Sequence, residues 1–326
     1  MKVFVAGATG AIGKQLVPML VERGHEVTGL TRTPAKQDLI RGLGARPAVA
    51  DGLDPEAVAQ AVAEAEPEVV IHELTAIDTS GLGRSIDKMF ATTNRLRREG
   101  LDHLLTAAQA AGARRFIAQS FAGWPFERTG GPVKTEEAPL QLSPPKTVSE
   151  TLAAIRYVEE TVTGTEGIEG LALRYGGFYG PGTSISLNPD GEQVVMLRKR
   201  RLPIIGDGGG IWSLVHIADA AAATAAAVDR GAPGVYNIVD DEPTEVRVLL
   251  PELAKVIGAK PPRRIPRWLG RLIAGQGNTI MMTEVRGASN EKAKRELGWE
   301  LRYPSWRLGI RDGLTPSDAE PARSAA

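Results

Sequence analysis

Three glycines carry the clearest chemical signal. Gly7, Gly10 and Gly13 lie in VFVAGATGAIG at 3–13, after an apolar run and before an amphipathic one. Glycine permits a tight strand-to-helix turn, lets backbone amides approach a bound anion, and allows the helix to seat closely on the strand. The helix N-terminus adds partial positive charge. This spacing in this setting predicts a pyrophosphate site built from Gly7, Thr9, Gly10, Ala11, Ile12 and Gly13. The end of the second candidate strand discriminates between the two nicotinamide dinucleotides. A carboxylate there would accept the ribose 2′-hydroxyl of NAD. Thr31, Arg32 and Thr33 stand there instead. A guanidinium clamps phosphate through paired N–H donors, so Arg32, with Lys36 nearby, predicts NADP(H) ahead of NAD.

Other chemistries are excluded. The chain has no cysteine, which removes thiolate nucleophiles, thiolate metal sites and disulfides. His25, His72, His103 and His216 show no metal-ligand spacing, so no metal is expected. The glycine run at 206–210 (GDGGG) lacks the Lys-Ser/Thr of a phosphate-binding P-loop. Thirty-nine basic side chains balance 39 acidic ones, which argues against a nucleic-acid partner. The densest basic run, LRKRR at 197–201, reads as a solvated helix end. No apolar run reaches the ~18 residues of a membrane span, and the early glycines break any secretion signal. The expected setting is the cytoplasm, and the expected partner is a small-molecule substrate. A homodimer stays open, and neither nucleic acid nor a membrane is expected.

These residues need a scaffold. Short β-branched runs at 2–6, 26–30, 46–50, 68–72, 115–119, 170–174 and 234–239 read as strands. Amphipathic stretches at 10–23, 55–65, 101–111 and 151–163 read as helices between them, and 217–228 as an alanine-rich helix. Near-continuous apolar strands alternating with helices predict an α/β fold with a doubly wound parallel sheet. Pro18 falls inside the first helix and predicts a bend. Trp268, Trp299 and Trp306 are expected to pack in the C-terminal region, and 315–326 reads as a disordered tail.

GATGAIG at 7–13, RYGGFYGPG at 174–182 and KAKRELGW at 292–299 together resemble the extended short-chain dehydrogenases/reductases, which include NAD(P)-dependent sugar epimerases and dehydratases. The resemblance spans nearly the whole chain. It implies a Rossmann-type cofactor domain over 1–180 with a return segment near 206–240. It also implies a smaller substrate domain, mainly 181–314. Asp51, with Gly52, resembles the residue that approaches adenine. Leu74, Thr75 and Ala76 resemble the segment lining the nicotinamide ribose. The family reaction uses a Ser or Thr, and a Tyr four residues before a Lys. Ser120, in FIAQSFAGWP at 116–125, falls on the Ser slot, at the cofactor's reactive end. That role implies loss of turnover in Ser120→Ala.

The Tyr–Lys pair does not carry over. Anchoring on Glu159, which matches a family glutamate, places Thr151 in the Tyr slot and Ile155 in the Lys slot. A shift by one gives Leu152 and Arg156. Tyr175 and Tyr179, beside the substrate in the resemblance, are the replacement proton donors to be tested, with packing as their alternative role. His72 and Glu73 end the fourth strand near the cofactor, and a lone His there reads as structural. The leading expectation is an NADP(H)-dependent oxidoreductase acting on a carbonyl or alcohol with nonstandard acid–base residues. The alternatives are a nucleotide-sugar epimerase or dehydratase, and a catalytically silent NADP(H)-binding sensor.

Overall fold

A computed structural model describes residues 1–77, 85–187 and 191–314. The predicted tail at 315–326 lies outside the described residues. Seven strands form one parallel sheet: β1 (Lys2–Ala6), β2 (Glu26–Thr31), β3 (Arg46–Val49), β4 (Val69–His72), β5 (Arg115–Phe121), β6 (Glu169–Tyr175) and β7 (Gly234–Ile238). Their order is β3-β2-β1-β4-β5-β6-β7, and every pairing is parallel. Parallel neighbours need crossovers, and α1 (Ala11–Glu22), α2 (Pro55–Ala65), α3 (Leu101–Ala110), α4 (Ser149–Gly164) and α5 (Ile217–Ala227) supply most of them.

Strand alternation divides the core between the two sheet faces. Val3, Val5, Ile71 and Ile117 pack under α1 and α5. Phe4, Val70, Phe116 and Ala118 pack under α2, α3 and α4. Both faces are covered, which explains why these strands are apolar without a polar alternation. Helix α1 runs unbroken through Pro18. The carbonyl that loses its donor belongs to Lys14, an exposed residue, so it is not sealed in the core.

Outside the sheet, short paired strands build the substrate-side region: 177–179 with 214–216, 204–205 with 264–265, 211–212 with 244–245, and 133–134 with 287–288. Helices α6 (Val246–Val256) and α7 (Arg267–Thr283) pack there, with shorter helices at Glu192–Arg198 and Trp306–Gly313. Helix α7 is broken at Gly275, whose φ is +82°. Trp299 and Trp306 are buried as expected, but Trp268 is 69% exposed on α7 beside Leu272 and Ile273. The expectation that all three tryptophans pack inward fails there, because Trp268 lies on the outward face of α7.

One buried polar network ties α4 to the sheet. The Glu159 carboxylate takes Nε and Nη2 of Arg174, each at 2.7 Å, and the Ser120 hydroxyl at 2.6 Å. All three residues are buried. Removing one member of a buried pair strands the other charge. Glu159→Ala is therefore expected to lower the unfolding free energy by about 3–5 kcal/mol. Ser120→Ala, losing one hydrogen bond to a charged group, should lower it by about 1.5–3 kcal/mol. Urea unfolding of both variants measures this order, and a smaller loss in Glu159→Ala would overturn it.

Candidate active site

The carboxyl ends of β1, β2, β3 and β4 converge on one cavity of about 240 Å³. Of the residues expected to hold a dinucleotide, Gly7, Thr9, Gly10, Thr31, Arg32, Asp51, Gly52, Leu74, Thr75 and Ala76 line it. Ala11, Ile12 and Gly13 do not. Ile12 is buried against the core under α1, and Gly13 seats the helix. A Cβ on Gly13 would lie 2.3 Å from the Gly7 carbonyl oxygen, so only glycine lets α1 start this close to the loop. The Gly10 amide closes the turn onto the Gly7 carbonyl at 2.9 Å. Gly7 itself has φ +106°, and a Cβ there would lie 2.7 Å from the Glu73 carbonyl. This cradle fits a pyrophosphate approached by backbone amides.

Arg32 and Lys36 are exposed at the cavity wall, and neither joins an ion pair among the described residues. The Asp51 carboxylate caps the Leu53 amide at 3.0 Å, which orients the loop after β3. Thr92 and Leu96, one helical turn apart, also line the cavity and were missed by the sequence reading. Leu96 begins a π-helical turn, where the Leu101 amide reaches back five residues to its carbonyl. That widened turn is a common device at functional sites.

His72 and Glu73 point to opposite faces of the sheet. His72 accepts the Leu74 amide at Nδ1 (3.2 Å), so Nε2 carries the proton and donates to the Leu96 carbonyl (3.0 Å). Burial holds its pKa down at about 4, so it is a neutral structural residue. Glu73 is the perturbed acid, with burial pushing its carboxyl up to about 8. Tyr175 Oη lies 2.8 Å from Glu73 Oε1 and 2.6 Å from Thr224 Oγ1. Thr224 donates to the Ala220 carbonyl at 2.8 Å. One phenol proton cannot serve both neighbours. With Glu73 neutral, every proton has a place: Glu73 donates to Tyr175, Tyr175 to Thr224, and Thr224 to Ala220. Glu73 Oε2 is buried without a partner among the described residues, which further disfavours the ionised form.

The three expected catalytic side chains do not gather at this cavity. Ser120 is 2% exposed, and its hydroxyl proton is held by Glu159 on the α4 side of the sheet. Ser120 therefore does not line this cavity, and Phe121 next to it packs against the cluster that contains Leu152 and Ile155. Tyr175 is locked in the Glu73 chain, and burial raises its pKa well above the usual value. Tyr179 is fully buried against Trp306 and Leu249. Its pKa is raised by burial, and its hydroxyl has no partner among the described residues. Both tyrosines take the packing role.

Helix α4 presents Thr151, Ile155 and Glu159 on its buried face, at 1%, 1% and 6% exposure. Thr151 donates to Asp87 Oδ1 at 2.7 Å and accepts from Asn94 Nδ2 at 3.1 Å. Ile155 belongs to an apolar cluster with Trp124, Val148, Leu152 and Ile280. Phe121 packs against that cluster. Arg156 instead donates to the Gln141 carbonyl, and Lys134 to the Thr129 carbonyl.

The raised Glu73 pKa has a stability consequence. A carboxyl bound to its proton more tightly in the folded state contributes stability that is present at low pH. That stability is lost as pH rises through about 8. The melting temperature of the wild type should therefore fall more between pH 6 and pH 9 than that of Glu73→Gln, whose amide never ionises. Asp240, also raised to about 8 by burial, contributes to the fall in both proteins, so the comparison isolates Glu73. Equal falls would overturn the assignment.

Comparison with known proteins agrees with this geometry. Residues 3–239 match the NAD dependent epimerase/dehydratase family. A 3-diazoavenalumate denitrifying reductase from a Streptomyces species is 43% identical over 311 residues, covering 95% of this chain and 99% of that protein. The UDP-glucose 4-epimerase of Thermotoga maritima, solved with UDP-glucose, superposes with a TM-score of 0.75 at 22% identity, over 96% of this chain and 97% of that one. A human epimerase family protein solved with NADPH gives 0.74 at 18% identity, over 96% and 99%. With the seven-stranded sheet, the glycine cradle and a nicotinamide-dinucleotide cavity in the expected places, the chain belongs to the NAD-dependent epimerase/dehydratase family of extended short-chain dehydrogenases/reductases.

Proposed function

We propose that the protein is an NADP(H)-dependent reductase whose substrate is a diazo-substituted aromatic compound, reduced with loss of dinitrogen. The observation that carries this reading is α4, which contains no lysine. Thr151 and Ile155 occupy the slots of the family's acid–base pair, and both contacts of the Thr151 hydroxyl are committed to Asp87 and Asn94. A carbonyl reduction needs a proton delivered to the new alkoxide. An arenediazonium does not: it is already the electrophile. The nicotinamide supplies a hydride when bound. The terminal nitrogen of Ar–N≡N⁺ takes that hydride to give Ar–N=N–H, which expels N₂ and keeps the hydrogen as Ar–H. Charge and atoms balance without an enzyme acid. The 43% identical relative, a 3-diazoavenalumate denitrifying reductase, supports the same substrate class.

The remaining residues have consistent tasks. The glycine loop holds the pyrophosphate, and Arg32 with Lys36 holds the 2′-phosphate. Gln119 donates to the Leu74 carbonyl at 3.0 Å, stiffening the segment that lines the nicotinamide side. Phe121, Trp124 and Ile155 form an apolar wall that keeps water from the diazonium, whose competing fate is hydrolysis to the phenol.

Two measurements test this reading. Arg32→Ala should weaken NADPH binding by roughly ten- to a hundredfold, the loss of a charge-assisted contact, and leave NADH binding nearly unchanged. Equal effects on both cofactors would sink the NADP(H) assignment. Purified protein with NADPH and an arenediazonium should oxidise one NADPH per N₂ released and form Ar–H. With NADPH deuterated at C4 on the transferred face, the arene should carry the label only through the diazene. Turnover of simple ketones or nucleotide sugars, with no N₂ from any diazonium, would overturn the proposal.

A further inference from the structure

We propose that the basic cavity between α7 and the loop after β5 is the subsite for a substrate carboxylate, so that the protein selects aromatic acids and orients them by their far end. This rests on the reductase reading above for what happens at the other end of the molecule. The cavity measures about 310 Å³ and is lined by Arg128, Arg267, Arg271, Thr279, Ile280 and Glu284, with Ser143 to Pro145 at its rim. Three arginines against one glutamate leave a net charge of +2 on these walls. Glu284 is already shared between Arg128, at 3.0 Å, and Arg267. Arg271 has no ion pair or hydrogen bond among the described residues, one turn along α7 from Arg267 and on the same face.

Arg128 is the residue that points to a ligand. Its Nη2 donates to Gln141 at 2.8 Å, but its Nε is buried with no partner among the described residues. Burial lowers its pKa, and Arg267 and Arg286 press in the same direction. A buried donor beside two further guanidinium groups is the arrangement an anion completes. The break at Gly275 separates the wall carrying Arg267 and Arg271 from the wall carrying Thr279, Ile280 and Glu284.

The subsite adjoins the apolar wall of the active site. Arg128 and Ile280 line the basic cavity and also a small slot with Trp124, Val148 and Met281. That slot belongs to the cluster containing Ile155, with Phe121 packed against it. Its volume is only about 10 Å³, so a ring enters it as Trp124, Ile280 or Met281 rotates. A carboxylate held by the arginines thus leaves its ring at the slot, through the two residues, Arg128 and Ile280, that line both.

Calorimetric titration of the NADP⁺-loaded protein with 4-hydroxycinnamate and with its primary amide separates this idea from the diazo reading, because neither probe carries a diazo group. The acid should bind at least about tenfold more tightly than the amide. Arg271→Glu should abolish that preference, and Arg271→Lys should retain most of it. Equal binding of acid and amide, no binding of either, or an unchanged preference in Arg271→Glu would overturn the subsite. A tight, Arg271-dependent acid preference with no reduction of any diazonium would leave the subsite standing and remove the diazo reading instead.

Discussion

The placement of α4 depends on a buried ion pair, Glu159 with Arg174. Taking the Glu159 and Arg174 charges out of water costs several kcal/mol per ion unless every lone pair and proton is matched. Here the guanidinium meets the carboxylate through two 2.7 Å contacts, and Ser120 adds a third. The network fixes the rotation of α4 about its own axis. Once Glu159 faces β6, helical spacing forces Ile155 and Thr151 onto the same buried line. Arg156 and Tyr157 are sent sideways, to the Gln141 carbonyl and to Asp102. Position 155 is thereby held on the buried line, where isoleucine joins the apolar cluster with Trp124, Val148 and Ile280.

A second constraint works through close approach. Gly7 lies against the Glu73 backbone, and Gly13 against Gly7, so the loop, the first helix and the end of β4 are pressed into one unit. The floor of the cavity therefore shares its packing with a buried acid. The chain Glu73–Tyr175–Thr224 links β4 to β6 and α5 beneath that floor. Its proton arrangement is satisfied only while Glu73 is neutral. Cofactor loop and sheet interior are thereby coupled through a single titratable group, which the pattern of apolar residues gave no means of detecting.

How far the sequence could be read follows from which forces are local. All seven sheet strands are legible, the inner ones because burial on both faces demands apolar runs, and their ends agree with the structure to within about two residues. The cofactor cavity is equally legible, since glycine spacing and the residue after β2 act over a few positions. Ser120 was misplaced because its role depends on which face of β5 it occupies and on a partner 39 residues away. Tyr175 and Tyr179 look reactive in a glycine-rich segment, yet their partners are Glu73, Thr224, Leu249 and Trp306, all distant in sequence. Trp268 was expected inside because tryptophan usually is, whereas the amphipathic pattern of α7 leaves it on the outer face. Arg128, Arg267 and Arg271 carry no shared motif, and only the folding of α7 over the loop after β5 brings them together.

The proposed reduction needs no proton donor from the protein, so its selectivity must come from elsewhere. Hydride transfer to a strong electrophile is intrinsically fast, so the difficult tasks are orientation and exclusion of water. Orientation is best achieved by a charge contact far from the reacting atom, where binding energy does not disturb the electrophile. A basic cavity separated from the α4 wall by an aromatic slot has that layout. The apolar wall performs the exclusion, and an ammonium in the Ile155 position would work against both tasks, by hydrating the wall and by repelling a cationic diazonium. For the proposed reduction, isoleucine at position 155 is therefore the better fit.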